Sequence, residues 1–229
     1  MTPPVKPISA AKMAVRTAIV LFVFVVAFTS LLALAFRWTE PAIQAAAADE
    51  KMKLIGEVLP GELYDNDLLN DSRQLAPSAA LGLDEVSTAY LARKGGAPSA
   101  LIFEAVAPDG YSGKIRLLLA VAADGTLVGV RVTQHKETPG LGDYIDPRKD
   151  RNKERPWISQ FDGLSLTSVS DREWRVKKDQ GRFDSLAGAT VSPRAVVKAV
   201  HKALQYIAAH QQQLFQSRQP AKEEARDQS

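Results

Sequence analysis

The 229-residue chain contains no cysteine and only three histidines, His135, His201 and His210. Without thiols, this chain alone cannot form disulfides, thiolate zinc sites or cysteine-held iron–sulfur clusters. The histidines are not spaced as a metal motif, so we predict no metal site. Any redox chemistry of this chain would therefore need an organic cofactor.

Strong net charge and enzyme signatures are missing as well. The chain has 29 Lys+Arg against 26 Asp+Glu, an excess too small and too mixed to favour nucleic-acid binding. It also lacks the Gly-x-Ser-x-Gly elbow, the phosphate-binding P-loop and the Gly-x-Gly-x-x-Gly fingerprint. We expect no catalytic residue, although a hydrolase with residues distant in sequence stays open as an alternative.

One segment is long, apolar and uncharged. Residues 17–36 span roughly 30 Å as a helix, which matches the hydrocarbon core of a bilayer. A cleaved signal peptide is the alternative, but the run exceeds the roughly 7–15 apolar residues of such peptides. The segment therefore predicts a transmembrane helix. Lys6, Lys12 and Arg16 precede it, which favours a cytoplasmic N-terminus and a domain outside the cytoplasm.

The remaining chain predicts an α+β fold, in which one N-terminal transmembrane helix is followed by a single α+β domain. Glu40-Pro41 predicts a helix start or kink, and Pro60-Gly61 predicts a helix end. The predicted helices cover 42–59, 157–161 and 193–215, the last with Ser192 as its N-cap. The predicted strands cover 86–92, 100–106, 114–122, 126–133 and, weakly, 173–177, with a breaker at 95–98. The charge run 147–156 predicts a solvated loop, with an interaction patch as the alternative.

These elements predict five segments along the chain. They are a cytoplasmic N-terminus (1–16), the transmembrane helix (17–36), a stalk helix and linker (37–82), the α+β domain (83–215) and a disordered tail (216–229).

Two stretches are candidates for a ligand site. His135-Lys-Glu-Thr-Pro-Gly-Leu-Gly142 places two glycines directly after a strand, where the backbone can approach a ligand. A strand-terminating turn explains the same residues. The second stretch, Asp184-Ser-Leu-Ala-Gly-Ala-Thr190, combines small residues with a threonine just before a helix N-terminus, which favours phosphate. A tight strand-to-helix connection is its alternative, and we expect Thr190 to lie in an exposed turn.

The second stretch resembles the flavinylation motif of FMN-binding domains, in which a Gly-Ala-Thr threonine carries FMN through a phosphoester. The stretch from His135 to Asp143 resembles the second signature of that domain. The single span, the stretch 58–65 and the stretch 187–197 extend the resemblance to the G subunits of Rnf-type ion-translocating electron-transport complexes, over roughly residues 11–214. Ala187 departs from the motif, which more often has Ser or Thr there.

The resemblance implies an FMN covalently bound to Thr190 and attached by a separate flavin transferase that recognises the sequence around Asp184. It also implies other subunits of a membrane electron-transport complex as partners, and a place in the inner membrane with the domain on the periplasmic side. The implied cofactor-binding residues are Thr190, Asp184, Gly188, Ala189, Glu137, Thr138, Gly140, Leu141 and Gly142.

Two other functions compete with this interpretation. The FMN-bearing C subunit of a sodium-pumping NADH:quinone oxidoreductase shares the modified-threonine domain and a single anchor. The other is a membrane-anchored binding module without a cofactor, in which both motifs would be ordinary turns.

Overall fold

The computed structural model describes residues 10–216, which form two compact units that divide between Lys51 and Met52. Residues 1–9 of the predicted cytoplasmic N-terminus and residues 217–229 of the predicted tail lie outside the described residues.

A single helix, α1, runs from Ala10 to Val58. Its most apolar 18-residue window has a mean hydropathy of 2.9, and none of that window is buried, so the helix is long and apolar enough to cross a membrane. The prediction that Glu40-Pro41 starts a separate helix is wrong, because Pro41 lies inside α1. Strong helix formers follow Pro41, including the run Ala45–Ala48, and they offset the roughly 3 kcal/mol that an interior proline costs.

The second unit contains a five-stranded antiparallel sheet in which sequential strands are neighbours. Its strands are β1 (Ser72–Leu75), β2 (Ser87–Lys94), β3 (Ala97–Gly110), β4 (Gly113–Ala122) and β5 (Leu127–Gln134). Four of the predicted strands are confirmed with shifted ends, and Ala97 and Pro98 belong to β3 rather than to a breaker. β1 was not predicted, because a four-residue edge strand with polar residues at Arg73 and Gln74 carries no clear alternation.

The chain after the sheet is mostly irregular, with short 3-10 helices. In the described part of the chain, three 3-10 helices after the sheet cover Asp143–Ile145, Trp157–Phe161 and Lys177–Asp179, and a fourth, Gly61–Leu63, lies before it. The predicted helix at 157–161 is confirmed as one of them. The predicted strand at 173–177 is wrong, because the chain reverses too tightly to pair. A Cβ at Gly181 would lie 2.1 Å from the Arg175 carbonyl oxygen, and Val176 forms only an isolated bridge with Phe183.

The last helix, α2 (Val191–Phe215), packs on β3 through a face that includes Val196, Val200 and Leu204. The prediction of Ser192 as N-cap is wrong. Thr190 holds the N-cap position with φ −91° and ψ −20°, and its side chain makes no capping bond. Ser192 lies in the first turn, where its hydroxyl is bonded to a buried carboxylate instead.

The opposite face of the sheet packs against Ile55, Val58 and Leu59 at the end of α1. A Cβ at Gly129 in β5 would lie 2.6 Å from the Val58 carbonyl oxygen, so only glycine allows the two backbones to approach this closely. Within the second unit, the sheet is therefore covered on both faces, and α2 occupies the other side together with the 3-10 helices Asp143–Ile145 and Trp157–Phe161.

Candidate functional site

The second predicted stretch forms a tight turn directly before α2. The Ala189 amide donates to the Leu186 carbonyl at 3.1 Å, and Gly188 has φ +82°. A positive φ at the third residue is what a type II turn requires, which explains the glycine. Ala187 and Gly188 are exposed. Thr190 is only 7% exposed, so the expectation of an exposed threonine is wrong; the residue is packed between the turn and the first turn of α2.

Two adjoining depressions open at this turn. The smaller, of about 300 Å³, is lined by Lys177, Lys178, Asp184, Ser185, Leu186, Ala187, Gly188 and Thr190. The larger, of about 550 Å³, has aromatic walls from Tyr144, Trp157 and Phe183 and basic residues Arg155, Lys177 and Arg182. Lys177 and Asp184 line both depressions. The structure thus brings Thr190, Asp184 and Gly188 together, whereas Ala189 is buried behind them.

Asp184 ties the start of this stretch to the helix Trp157–Phe161. Its amide donates to Gln160 Oε1 at 2.8 Å, and its carbonyl accepts from Trp157 Nε1 at 2.6 Å. Its exposed carboxylate accepts from Lys177 Nζ at 2.6 Å. The backbone of Asp184 is therefore fixed, while its charge stays at the surface between the two depressions.

Tyr144 joins the two predicted stretches. Its hydroxyl donates to the Ala189 carbonyl at 3.2 Å and accepts from the Leu186 amide at 3.0 Å. Burial raises the pKa of Tyr144 above its ordinary value; a tyrosine hydroxyl is protonated at neutral pH even without that shift, so it can donate. Tyr144 was not predicted from the sequence, and its only local signal is an aromatic residue just after Gly142-Asp143.

Glu137 connects the first stretch to α2. The residue is 4% exposed; its carboxylate accepts from Ser192 Oγ at 2.5 Å and from the Ser112 amide at 3.1 Å. A Cβ at Gly142 would lie 2.6 Å from Ser192 Oγ and 2.8 Å from Glu137 Oε2. Glu137 and Gly142 therefore pack at the first turn of α2, two residues after Thr190.

The other predicted residues of this loop lie at the surface. Thr138, Gly140 and Leu141 are exposed, and they line neither of the two depressions. The Thr138 carbonyl accepts from the amides of Leu141 and Gly142, and the Gly140 amide donates to Asp143 Oδ1 at 2.9 Å. Gly140 has φ +76°, so the backbone conformation alone explains why this position is a glycine.

The residues around Thr190 fit a bound FMN. Lys177 and Lys178 line the depression that contains Thr190, and the N-terminus of α2 adds a partial positive charge. Both features suit a phosphate. The aromatic walls of the larger depression suit a flat ring system. The two lysines were missed in the sequence, where their signal was a pair of basic residues shortly before Asp184.

Comparison with known proteins shows the class of domain that this chain contains. Residues 110–205 match the family model of the FMN-binding domain, and this match favours a cofactor-carrying domain over a cofactor-free module. The chain is also similar to three curated proteins, each named as the G subunit of an ion-translocating oxidoreductase complex. The Pseudomonas aeruginosa protein is 48% identical over 87% of this chain and 91% of its own length. The Shewanella loihica protein is 42% identical over 88% of this chain and 92% of its own length. The Vibrio cholerae protein is 40% identical over 90% of this chain and 95% of its own length.

The chain belongs to the family of ion-translocating oxidoreductase complex G subunits. This result confirms the resemblance found in the sequence and favours the G subunit over the C subunit of a sodium-pumping NADH:quinone oxidoreductase. The confirmed fold class, α+β with an apolar N-terminal helix, agrees with it.

Proposed function

We propose that this chain relays electrons through FMN bound covalently to Thr190, within a membrane complex that couples electron transfer to ion translocation. The names of its relatives support the complex, and the FMN-binding domain supports the cofactor. The observation that carries the attachment site is the position of Thr190, at the N-terminus of α2 and in a depression that also contains Lys177 and Lys178.

Charge balance supports this attachment site. A phosphodiester keeps one negative charge, and the ammonium groups of Lys177 and Lys178 offset it together with the α2 dipole. Lys177 is already paired with Asp184 at 2.6 Å. Of the two lysines, Lys178 is therefore the one that is not paired with Asp184 and can pair with an added phosphate. Tyr144 holds the Leu186–Ala189 turn and thereby orients Thr190.

The larger depression supplies the surroundings of a ring. Tyr144, Trp157 and Phe183 provide apolar walls, while Arg155 and Arg182 provide positive charge at its margin. Bound FMN supplies reversible electron transfer that none of the side chains offers. A covalent link prevents loss of the cofactor, and we propose that a separate flavin transferase forms it.

The decisive experiment measures covalent flavin on the full chain, coexpressed with a flavin transferase. Intact-mass spectrometry of the wild type should show an added FMN less one water, and the band should fluoresce after denaturing electrophoresis. Thr190→Ala should lose both signals. Thr138→Ala is the matched control, because it removes the threonine hydroxyl of the other stretch, and it should stay flavinylated. Flavin on Thr190→Ala, or none on the wild type, contradicts the proposal.

The proposed topology places the N-terminus in the cytoplasm and the domain on the periplasmic side of the inner membrane. It rests on the basic residues Lys6, Lys12 and Arg16 before the span. Alkaline phosphatase fused after Leu214 should be active, since it folds only outside the cytoplasm. Activity of β-galactosidase fused at the same point would contradict this orientation.

A further inference from the structure

Positive charge is concentrated in one segment of the second unit. Residues 147–182 contain ten Lys+Arg and six Asp+Glu, which leaves nineteen basic and twenty acidic residues in the rest of the chain. The net positive charge of the chain therefore comes from this segment. It includes the loop 147–156, here called the cationic loop, and the two lysines near Thr190.

Hydrogen bonds within the cationic loop hold its conformation, and of its two acidic residues, Asp150 and Glu154, the first is buried. Asp150 is 8% exposed and accepts from the amides of Asn152 at 2.9 Å and Trp157 at 2.5 Å. Lys153 Nζ donates to the carbonyls of Pro147 and Arg148 at 3.2 and 2.9 Å. The exposed charges of the loop are consequently Glu154 against Arg148, Lys149, Arg151, Lys153 and Arg155.

Arg148 is held in place by a buried carboxylate just before the loop. Its guanidinium donates to both oxygens of Asp146, at 3.0 to 3.2 Å, and the side chain of Asp146 is only 3% exposed. The hydrogen bond to Asp146 raises the pKa of Arg148 further. Asp146 therefore fixes Arg148 and offsets its charge, while Asp150 fixes the backbone of the loop. The outward positive charge of the loop comes from Lys149, Arg151, Lys153 and Arg155.

The cationic loop also borders the larger depression. Arg155 and Asn152 line that depression together with Lys177, Arg182 and Trp157. A molecule attracted to the loop would thus be drawn to the opening of the proposed flavin site.

We propose that the cationic loop docks an acidic redox protein that exchanges electrons with the flavin; the inference rests on the proposed function. Transient electron-transfer encounters use small, charge-steered interfaces. Permanent interfaces are more apolar, yet the loop contains none of the exposed large hydrophobic residues of the described chain. Binding to a lipid surface would call for exposed apolar residues beside the basic ones, and Trp157, next to the loop, is buried.

The test uses two electron acceptors of opposite charge with the full-length flavinylated protein in neutral detergent micelles. The soluble domain of cytochrome b5 is the acidic probe, and cytochrome c is the basic probe. Each ferric haem takes one electron, so a fully reduced flavin reduces two haems and releases its protons to solvent. Stopped-flow absorbance gives the second-order rate constants over a range of ionic strengths.

The loop variant is Lys149→Glu/Arg151→Glu, since neither side chain forms a hydrogen bond among the described residues. The matched control is Lys94→Glu/Lys202→Glu, which changes the net charge equally at exposed positions that line neither depression. The wild-type rate with cytochrome b5 should fall as ionic strength rises. At low ionic strength the loop variant should react on the order of tenfold more slowly, while the control keeps most of the wild-type rate and cytochrome c is not slowed.

Three results would overturn the docking surface. The loop variant could match the wild type with cytochrome b5, or both variants could slow equally, which would indicate total charge alone. In nanodiscs, phosphatidylglycerol could slow the wild type to the rate of the loop variant although phosphatidylcholine does not, which would assign the loop to lipid headgroups.

The docking surface can also be tested apart from the flavin. A wild type without covalent flavin disproves the proposed function, and isothermal titration of cytochrome b5 into that unmodified protein then tests docking by itself. Weaker binding by the loop variant alone supports the surface, whereas equal binding by all three proteins overturns it.

Discussion

Replacing Tyr144 by phenylalanine tests whether one hydroxyl holds the turn before Thr190. Tyr144 is 6% exposed, and its hydroxyl bonds the Leu186 amide at 3.0 Å and the Ala189 carbonyl at 3.2 Å. The ring would keep its edge-on contact with Trp157 at 5.9 Å, so the change removes polar bonds and little volume. Two hydrogen bonds at about 0.5–1.5 kcal/mol each predict a loss of about 2 kcal/mol in the free energy of unfolding.

Equilibrium urea unfolding of the full chain in detergent, followed by tryptophan fluorescence, measures that loss. With a slope of about 2 kcal/mol per molar urea for a domain of this size, the midpoint should fall by about 1 M. Flavin attachment to Thr190 should also slow, because the turn is less well held. Tyr111→Phe is the matched control, since Tyr111 is 70% exposed. A Tyr144→Phe midpoint equal to that of the control would refute the reasoning.

Three further predictions concern other parts of the second unit. Gly129→Ala should lower the free energy of unfolding by about 1–3 kcal/mol, measured by the same urea midpoint, because its Cβ would lie 2.6 Å from the Val58 carbonyl oxygen. Burial alone would raise the pKa of Asp146, but the hydrogen bonds and charge of Arg148 outweigh burial and lower it. Asp146→Asn should therefore reduce stability at neutral pH, and this loss should shrink as the pH falls through the lowered pKa. Urea midpoints of both proteins between pH 7 and pH 3 measure it. Leu141→Ala should leave stability nearly unchanged, since Leu141 is 52% exposed, and a visible spectrum of bound flavin identical to the wild type would remove Leu141 from the site.

The fold was predictable where a local pattern carries it. β4 and β5 are mainly apolar runs on either side of Asp124-Gly125, which marks the turn between them, so both strands follow from nearest neighbours. The spacing of Val196, Val200 and Leu204 likewise indicates the buried face of α2. The uninterrupted α1 was not predictable, because the cost of Pro41 had to be weighed against the helix on both sides of it.

The site was predictable only at the level of its two stretches. Their resemblance to known motifs placed Thr190 and Asp184, but the contacts within the site join residues far apart in the chain. Glu137 and Ser192 are 55 residues apart, and Tyr144 and Ala189 are 45 apart. No local pattern indicates that the Ser192 hydroxyl bonds a buried carboxylate rather than capping a helix.

The two glycines of the first stretch show the same limit. One glycine is required by its backbone, since Gly140 has φ +76° with open space around its Cβ position. The other is required by packing, since a Cβ at Gly142 would meet Ser192 and Glu137. The sequence analysis predicted that both glycines allow a ligand to approach the backbone. Their contact with the flavin stays a prediction.

The start of α2 explains why an anion suits Thr190 better than an ordinary cap. At many helix N-termini the side chain of a Ser, Thr, Asp or Asn accepts from the first amides. Here the Thr190 side chain makes no such bond, and the Ser192 hydroxyl is committed to Glu137 at 2.5 Å. Neither hydroxyl therefore caps the first amides, and the Glu137 carboxylate bonded to Ser192 is the negative charge already present at this turn. A phosphoester at Thr190 would add a second negative charge beside Lys178, so the residue chosen for attachment and the helix that lacks a side-chain cap support the same proposal.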